Sequence, residues 1–293
     1  MARSGGRILD DEARKVLPGS FVALSRGVTH YELRGSTDAG DVVLIHGNAA
    51  PYITWDHTVG ALCDAGFRVL RYDLFGHGYS DRPRLPRYDR SFYNEQLAEL
   101  LDRLGIGLPV SLVGTSQGGS IAACFTAEHP GAVSRLALLA PFFDTLPGSA
   151  SFAYRLAVTP GFGELLGSLM PDRKLADITD AVVSPEANAD LQRAVLDQFR
   201  FDGKRQAILA NLRGDALQDA TSCYRRVGEQ RIPVLLTCGT ADRKIPMESI
   251  ARLRRLLSSI EYRDIEGAGH LAHYEFPETV NPVLTGFLTE TNP

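Results

Sequence analysis

The sequence predicts an α/β protein whose mostly parallel central sheet carries helices on both faces and a helical cap insertion. Short runs of β-branched residues and leucine alternate with segments of helical periodicity, which is the pattern of a parallel sheet with crossover helices. The alternation is interrupted between Pro141 and about Asp215, where turns containing glycine and proline separate helical segments. We therefore expect a sheet domain made of residues 1–141 and 216–293, with residues 142–215 forming a cap or lid.

The elements before the insertion follow in order. Residues 21–35 predict an antiparallel strand pair or one long bent strand, and the apolar run DVVLIHG predicts a buried parallel strand. The segment WDHTVGALCDAG is helical and ends at Gly66, a residue typical of a helix C-cap. FRVLRYDLFG predicts the next strand. SFYNEQLAELLDRLG then predicts a helix with an apolar stripe, and we expect Ser91 to be its N-cap.

The later elements continue the alternation. VSLVGTS predicts a strand, QGGSIAACFTAEHP a helix stopped by Pro130, and RLALLAP another strand. Within the insertion, NADLQRAVLDQF and DGKRQAILANLRG predict helices. After it, the strand PVLLTCGTAD, the helix MESIARLRRLL and the strand IEYRDIEGAG precede a last helix from about Pro277. The run DRPRLPRYDR is expected to be a solvent-exposed loop.

Composition is that of an ordinary globular protein and argues against several classes. Of the 293 residues, 44% are hydrophobic and 23% are charged, and no apolar run approaches the roughly 20 residues of a membrane span. The net charge of −4 gives no electrostatic reason to expect nucleic acid as a partner. The first twenty residues lack the apolar core of a signal peptide. We expect a cytoplasmic protein that acts on a small molecule, and the sequence predicts no oligomeric state.

The four cysteines, Cys63, Cys124, Cys223 and Cys238, have neither metal-ligand spacing nor a C-x-x-C pair. Each has apolar neighbours in the sequence. We therefore expect reduced, buried cysteines, no metal ion and no cofactor.

The stretch Gly114-Thr115-Ser116-Gln117-Gly118 places a serine where a strand turns into a helix. A nucleophile that must face solvent at the end of a buried strand needs a very sharp turn, and small residues two positions before and after it remove the clash. The following helix points its N-terminal N–H groups and its dipole at the serine. Such a short match also occurs by chance, but the strand before it and the helix after it favour Ser116 as a nucleophile.

A serine becomes a good nucleophile when a base, itself oriented by an acid, takes its proton. His270 follows a strand and a Gly-Ala-Gly loop, so we expect its imidazole at the same edge of the sheet as Ser116, with His273 as a packing neighbour. Asp242, in a short turn after the PVLLTCG strand, and Asp144, after the RLALLAP strand, compete for the role of acid. We favour Asp242 because Asp144 enters the cap, where a fixed hydrogen bond is harder to hold.

The oxyanion of a tetrahedral intermediate needs two hydrogen-bond donors. We expect one to be the N–H of Gln117, which directly follows the nucleophile. The other is expected from the loop HGNAA, after the VVLIHG strand. Asn48 N–H is the preferred donor, and Ala49 N–H is the alternative if the loop is one residue deeper. His46 is expected to brace this loop.

Together, the segments HGNAA, YDLFGHGYSDRP, GTSQGG, CGTADRKIP and GAGH resemble the α/β-hydrolase superfamily, from about Phe21 to Leu288 apart from the insertion. The chain order serine, aspartate, histidine is the order of that fold. The resemblance implies that the insertion is the family's cap, which roofs the site, and that YDLFGHGYSDRP is the loop after the fourth strand.

Departures from particular branches narrow the prediction. Haloalkane dehalogenases and epoxide hydrolases have aspartate as nucleophile, whereas this chain has Ser116. The residues after HG differ from the glycine-rich loop of meta-cleavage-type carbon–carbon hydrolases, and the HGGG loop of one lipase branch is absent. Cofactor-free haloperoxidases share the triad.

The resulting prediction is a serine hydrolase for a carboxylic ester, thioester or lactone of modest size. Phe142 and Phe162 of the cap are expected to line an apolar acyl pocket, and the TPGFG segment suggests that the cap moves. Two alternatives stay open. One is carbon–carbon cleavage or another pathway-tailoring reaction on the same triad, and the other is a ligand-binding receptor whose triad is slow.

Overall fold

One sheet runs through the computed structural model, which describes residues 6–36, 40–145, 148–176, 178, 180–257 and 260–290. Its strands within these residues are β1 (Ser20–Leu24), β2 (Gly27–Arg34), β3 (Asp41–Ile45), β4 (Arg68–Tyr72), β5 (Val110–Thr115), β6 (Val133–Leu139), β7 (Val234–Gly239) and β8 (Ile260–Ile265). Their order across the sheet is β1-β2-β4-β3-β5-β6-β7-β8. The pairs β1–β2 and β2–β4 are antiparallel, and the pairs from β4–β3 onward are parallel. The carboxyl ends of β3 and β5 to β8 therefore meet at one edge.

Helices cover both faces of this sheet. In the described residues they are α1 (Asp11–Arg14), α2 (Asp56–Asp64), α3 (Arg90–Arg103), α4 (Gln117–Glu128), α5 (Phe152–Ala157), α6 (Phe162–Leu169), α7 (Asp172–Leu175), α8 (Pro185–Asp197), α9 (Lys204–Arg213), α10 (Thr221–Gln230), α11 (Met247–Arg254), α12 (Ala272–Glu275) and α13 (Pro277–Thr289), with 3₁₀ turns at Tyr52–Trp55 and Gln198–Arg200. Alternate residues of β3 pack against the helices on opposite faces of the sheet. Val43 and Ile45 pack with α3, α4, α10 and α11, whereas Val42 and Leu44 pack with α2 and α13.

The predicted alternation of strands and helices is confirmed, and two local predictions are wrong. Ser91 is not the N-cap of α3. The helix begins at Arg90 with Asp89 as its N-cap, two residues before the predicted position, and the Arg90 N–H donates to the Asp215 carboxylate at 2.6 Å. The run DRPRLPRYDR is not simply a solvated loop. Tyr88 is fully buried, with its ring stacked on Phe92 at 4.8 Å and its hydroxyl donating to a backbone carbonyl.

The expectation of four reduced cysteines is also wrong. Cys124 on α4 and Cys223 on α10 form a disulfide, with their Cα atoms 4.8 Å apart. The two helices are neighbours on one face of the sheet, a relation between distant segments that cysteine spacing does not contain. Cys63 and Cys238 are free.

The cap segment between β6 and α10 contains the helices α5 to α9, and its described residues contain no strand. Both helices predicted there are present, as α8 and α9. Residues near the N-terminus also reach the cap, since Arg7 forms a parallel bridge with Phe201. The boundaries at 142 and 215 stay predictions. Among the described residues, no helix has the length and apolar character needed to cross a membrane.

Candidate active site

Ser116 stands in a strained turn between β5 and α4. Its backbone has φ +53° and ψ −122°, a conformation that a residue with a side chain adopts only when its surroundings enforce it. A Cβ atom at Gly114 would lie 2.4 Å from the Gly118 carbonyl oxygen, and one at Gly118 would lie 2.2 Å from the Ile45 carbonyl oxygen. Both positions therefore require glycine. Ser116 is partly exposed between two buried neighbours, so the turn presents its hydroxyl.

The Gln117 N–H lies in the first turn of α4, where helix N–H groups have no partner within the helix. This N–H therefore lies next to Ser116 and is not used by the hydrogen bonds of the helix itself. The Gln117 side chain is fully buried and so points away from solvent.

His270 and Asp242 are brought together by the ends of β8 and β7. His270 Nδ1 lies 2.8 Å from Asp242 Oδ2, and the Asp242 side chain is inaccessible to solvent. The other carboxylate oxygen accepts from the N–H groups of Lys244 at 2.7 Å and Ile245 at 3.1 Å. These donors fix the carboxylate. A proton on Nδ1 then leaves His270 Nε2 with a lone pair for use as a base.

Asp144, the competing acid, is engaged elsewhere. Its carboxylate accepts from the Ser249 hydroxyl and pairs with Arg252 at 2.9 Å, both on α11. His273 is fully buried and its ring packs on Trp55 at 4.3 Å between centroids. Burial lowers the pKa of His273 to about 3, so this side chain is a neutral packing neighbour at pH 7.

The loop Gly47–Ala50 lies beside Ser116, since a Cβ at Gly47 would lie 3.1 Å from the serine Cβ. His46 Nδ1 donates to the Gly47 carbonyl at 2.7 Å while its Nε2 accepts from Leu74 N–H. The Asn48 carbonyl accepts from His77 Nε2. Burial lowers the pKa values of both His46 and His77, which keeps these rings neutral.

The carbonyl direction sets the direction of the next amide. In a planar trans peptide, the carbonyl of one residue and the N–H of the following residue point in opposite directions. The N–H groups of Asn48 and Ala49 therefore point away from the His46 and His77 rings that hold the preceding carbonyls.

Two cap residues complete this arrangement, and the sequence analysis missed both. Asn211 of α9 donates to Asn48 Oδ1 at 2.6 Å and exchanges hydrogen bonds with the Gln117 side chain. Gln198 donates to the Ala49 carbonyl at 3.2 Å. Neither carries a motif, and only the docking of the insertion shows what they touch.

Comparisons with known proteins place this chain in a family. The family model for the alpha/beta hydrolase fold matches residues 41–277. The chain belongs to the α/β-hydrolase family. A Bacillus subtilis protein provisionally named 2-succinyl-6-hydroxy-2,4-cyclohexadiene-1-carboxylate synthase is 30% identical to it, over 92% of this chain and 97% of that protein. Human monoglyceride lipase is also 30% identical, over 74% of this chain and 70% of the lipase.

Among solved structures, an enol-lactonase from Burkholderia xenovorans superposes with a TM-score of 0.75 at 22% identity. The match covers 92% of this chain and all of the lactonase. This likeness shows the shared fold.

The two phenylalanines predicted to line an acyl pocket are not brought together in this hydrolase. Phe142 is buried in the core, and it lines a cavity of about 180 Å³ with residues 143–145, residues 244–246 and Ser249. Phe162 does not line that cavity, because it begins α6 on the cap surface and is 41% exposed. Among the described residues of the hydrolase, no group of three or more His, Cys, Asp or Glu side chains is arranged to hold a metal ion.

Proposed function

We propose that the protein is a serine hydrolase that cleaves a carboxylic ester, thioester or lactone of a small apolar substrate through an acyl-enzyme. The observation that carries the proposal is the buried hydrogen bond between His270 and Asp242, at the sheet edge where the strained turn presents Ser116. Kinship with human monoglyceride lipase, whose name states an ester substrate, supports the same reaction.

In the proposed mechanism, Ser116 Oγ attacks the substrate carbonyl while His270 Nε2 takes the serine proton. Asp242 holds the imidazole in the required tautomer and stabilises the imidazolium. The intermediate then expels the alcohol, which takes the proton from His270. A water molecule, deprotonated by His270, attacks the acyl group and restores Ser116. His270 is hydrogen-bonded to Asp242. We expect its contact with Ser116 to form as substrate enters, since catalytic hydrogen bonds tighten in the complex.

The oxyanion is proposed to bind the N–H of Gln117 and a second N–H from the loop Gly47–Ala50. Asn48 is the preferred second donor, and Ala49 is the alternative. The proposal is supported by the loop carbonyls, which are held on the side away from these N–H groups.

A second candidate is a different reaction on the same residues, such as carbon–carbon cleavage or another pathway-tailoring step. The observation that favours it is the kinship with the Bacillus subtilis protein, whose name states a carbocyclic synthase and not an esterase. The alternative hypothesis, a ligand-binding receptor with a slow triad, has no such observation in its favour.

The cytoplasmic location stays a prediction. The Cys124–Cys223 disulfide weighs against it, because cytosolic thiols are normally kept reduced.

A panel of p-nitrophenyl esters of rising chain length tests the proposed function. We expect multiple turnovers, a single fluorophosphonate adduct on Ser116, and a loss of roughly 10³ or more in kcat for Ser116→Ala with an unchanged fold. Asp242→Asn should cost on the order of 10⁴ in kcat, and Asp144→Asn at least about a hundredfold less.

Four results would decide against parts of this scheme. If the fluorophosphonate labels another residue, or if Ser116→Ala keeps most of the activity, Ser116 is not the nucleophile. A reversed ranking of the two aspartates moves the acid to Asp144. If the protein hydrolyses none of the esters but turns over a vinylogous diketone, its reaction is carbon–carbon cleavage instead.

A further inference from the structure

Asn211 is a polar side chain at the centre of the buried contact between cap and core. It lies on α9 and is 1% exposed. Its Nδ2 donates to Asn48 Oδ1 at 2.6 Å and to Gln117 Oε1 at 3.1 Å. Its Oδ1 accepts from Gln117 Nε2 at 2.8 Å and from the Tyr93 hydroxyl at 2.9 Å. A primary amide has two N–H donors and two acceptor sites, so all four are used and one orientation is fixed.

The two residues that Asn211 joins are those assigned to the oxyanion hole. Gln117 directly follows Ser116, and Asn48 belongs to the loop after β3. We propose that Asn211 is a positioning residue, which sets the separation of the two oxyanion donors, so that the cap takes part in stabilising the transition state. This inference rests on the proposed function and adds to it a role for a residue outside the sheet domain.

Gln198 strengthens the same link from a second point of the cap. It is 2% exposed, and its Nε2 donates to the Ala49 carbonyl. Its Oε1 accepts from Gly78 N–H at 2.8 Å and from Lys204 Nζ at 2.9 Å. The loop beside Ser116 is thus held by the cap through the Asn48 side chain and the Ala49 backbone.

The catalytic consequence follows from the geometry that an oxyanion hole requires. Its donors act at 2.7–3.1 Å from the oxyanion, and loss of one donor costs about 10²–10³ in kcat. If the loop shifts by a fraction of an ångström, its donor is misplaced and part of this contribution to kcat is lost. Substrate binding in the ground state uses other contacts, so KM should change little.

The test compares Asn211→Leu with Gln206→Leu. Gln206 lies on the same helix and also donates from the cap to the core, but its hydrogen bond is with the Leu85 carbonyl, at 2.8 Å, and not with the loop Gly47–Ala50. We expect Asn211→Leu to lower kcat on p-nitrophenyl esters by about 10- to 100-fold with KM within about threefold. Gln206→Leu should keep both within about threefold.

A boronic acid, which forms a tetrahedral adduct on the serine, provides a readout that a merely structural role would not move. Its affinity should fall in Asn211→Leu by the same factor as kcat/KM. The variant Asn48→Ala keeps the backbone N–H but removes the partner of Asn211. If Asn211 acts through Asn48, its substitution should cost less in that background.

Hydrogen exchange separates failure of this inference from failure of the proposed function. If the wild-type protein neither turns over esters nor accepts a fluorophosphonate, the proposed function is wrong. The rate of hydrogen exchange at residues 47–50 still decides whether Asn211 fixes the loop. Faster exchange in Asn211→Leu than in Gln206→Leu supports this role of Asn211, and equal exchange in the two variants overturns it. An active wild type with unchanged kcat and boronate affinity in Asn211→Leu overturns the inference alone. If that variant does not fold, Asn211→Ser takes its place.

Discussion

The cap consists of two halves that are attached in different ways. The outer half, α5 to α7, leaves large apolar side chains exposed, with Phe152 at 80%, Leu165 at 59% and Leu169 at 75%. The inner half, α8 to α9 with the turn between them, buries Leu191 completely and Lys204 to 4% exposure. The outer half packs on the inner half, and the inner half packs on the core.

The hydrogen bonds of the two halves show the same difference. Tyr154 of the outer half donates to the Leu212 carbonyl at 2.7 Å, and Glu164 pairs with Arg213 at 2.6 Å, so both partners belong to α9 or its immediate end. The inner half instead binds the loop beside Ser116 through Asn211 and Gln198. Motion predicted from the TPGFG segment, residues 159–163, would therefore concern the outer half, whereas the inner half contacts the loop Gly47–Ala50.

The largest expected effect is on global stability, from shortening one leucine in each half. Leu191 packs with Ala50 of the loop Gly47–Ala50 and with Leu271, next to His270. Leu191→Ala should lower the free energy of unfolding by about 2.7–5 kcal/mol, because it leaves a cavity. Leu165→Ala should stay within about 0.5 kcal/mol, since its side chain is mostly in solvent. Urea unfolding measures both, and equal losses would mean that the two halves are attached alike.

The elements around the site were predictable because their causes are local. Apolar runs identify β3 and β5, and the glycines around Ser116 identify the turn whose crowding requires them. Asp242 was favoured because a short turn holds it, and its carboxylate does accept two backbone N–H bonds there.

What the sequence did not predict depends on how distant segments dock. Asn211 and Gln198 look like ordinary polar residues of helical segments until the cap is placed on the loop Gly47–Ala50. The Cys124–Cys223 pair similarly requires knowing that α4 and α10 are neighbours. Phe162 was assigned to the pocket from its apolar character alone, and for a side chain that is 41% exposed this assignment stays a prediction.

An intermediate effect is expected from the buried lysine of the inner half. Lys204 Nζ donates to the Gly76 carbonyl at 3.1 Å and to Gln198 Oε1, and burial lowers its pKa well below the usual 10.5. Between the folded pKa and 10.5 the unfolded chain binds the extra proton, so stability should rise with pH over that window, by up to about 1.4 kcal/mol per pH unit. Unfolding of Lys204→Met between pH 7.5 and 9.5 should lack this rise.

The outer half supplies the control for that measurement. Lys174 lies exposed on α7, and Lys174→Met should keep the wild-type slope. A wild-type slope in Lys204→Met as well would show that the buried amine does not carry the pH dependence.

The smallest effect is expected from the ion pair that ties α6 to α9. The hydrogen bond with Arg213 lowers the pKa of Glu164 to about 2, so the contribution of this carboxylate is complete above pH 4.5 and is lost as the pH falls through about 2. The Glu164 side chain is 45% exposed, and solvent screening limits such a pair to less than about 1 kcal/mol.

Glu164→Gln should leave global unfolding nearly unchanged while hydrogen exchange of residues 159–170 becomes a few-fold faster (roughly fivefold per kcal/mol). Glu186→Gln, on the exposed side of α8, is the matched control and should not alter exchange in α6. If Glu164→Gln also accelerated exchange at residues 47–50, the outer half would be coupled to the loop Gly47–Ala50, and the division of the cap into an outer and an inner half with different attachments would be wrong.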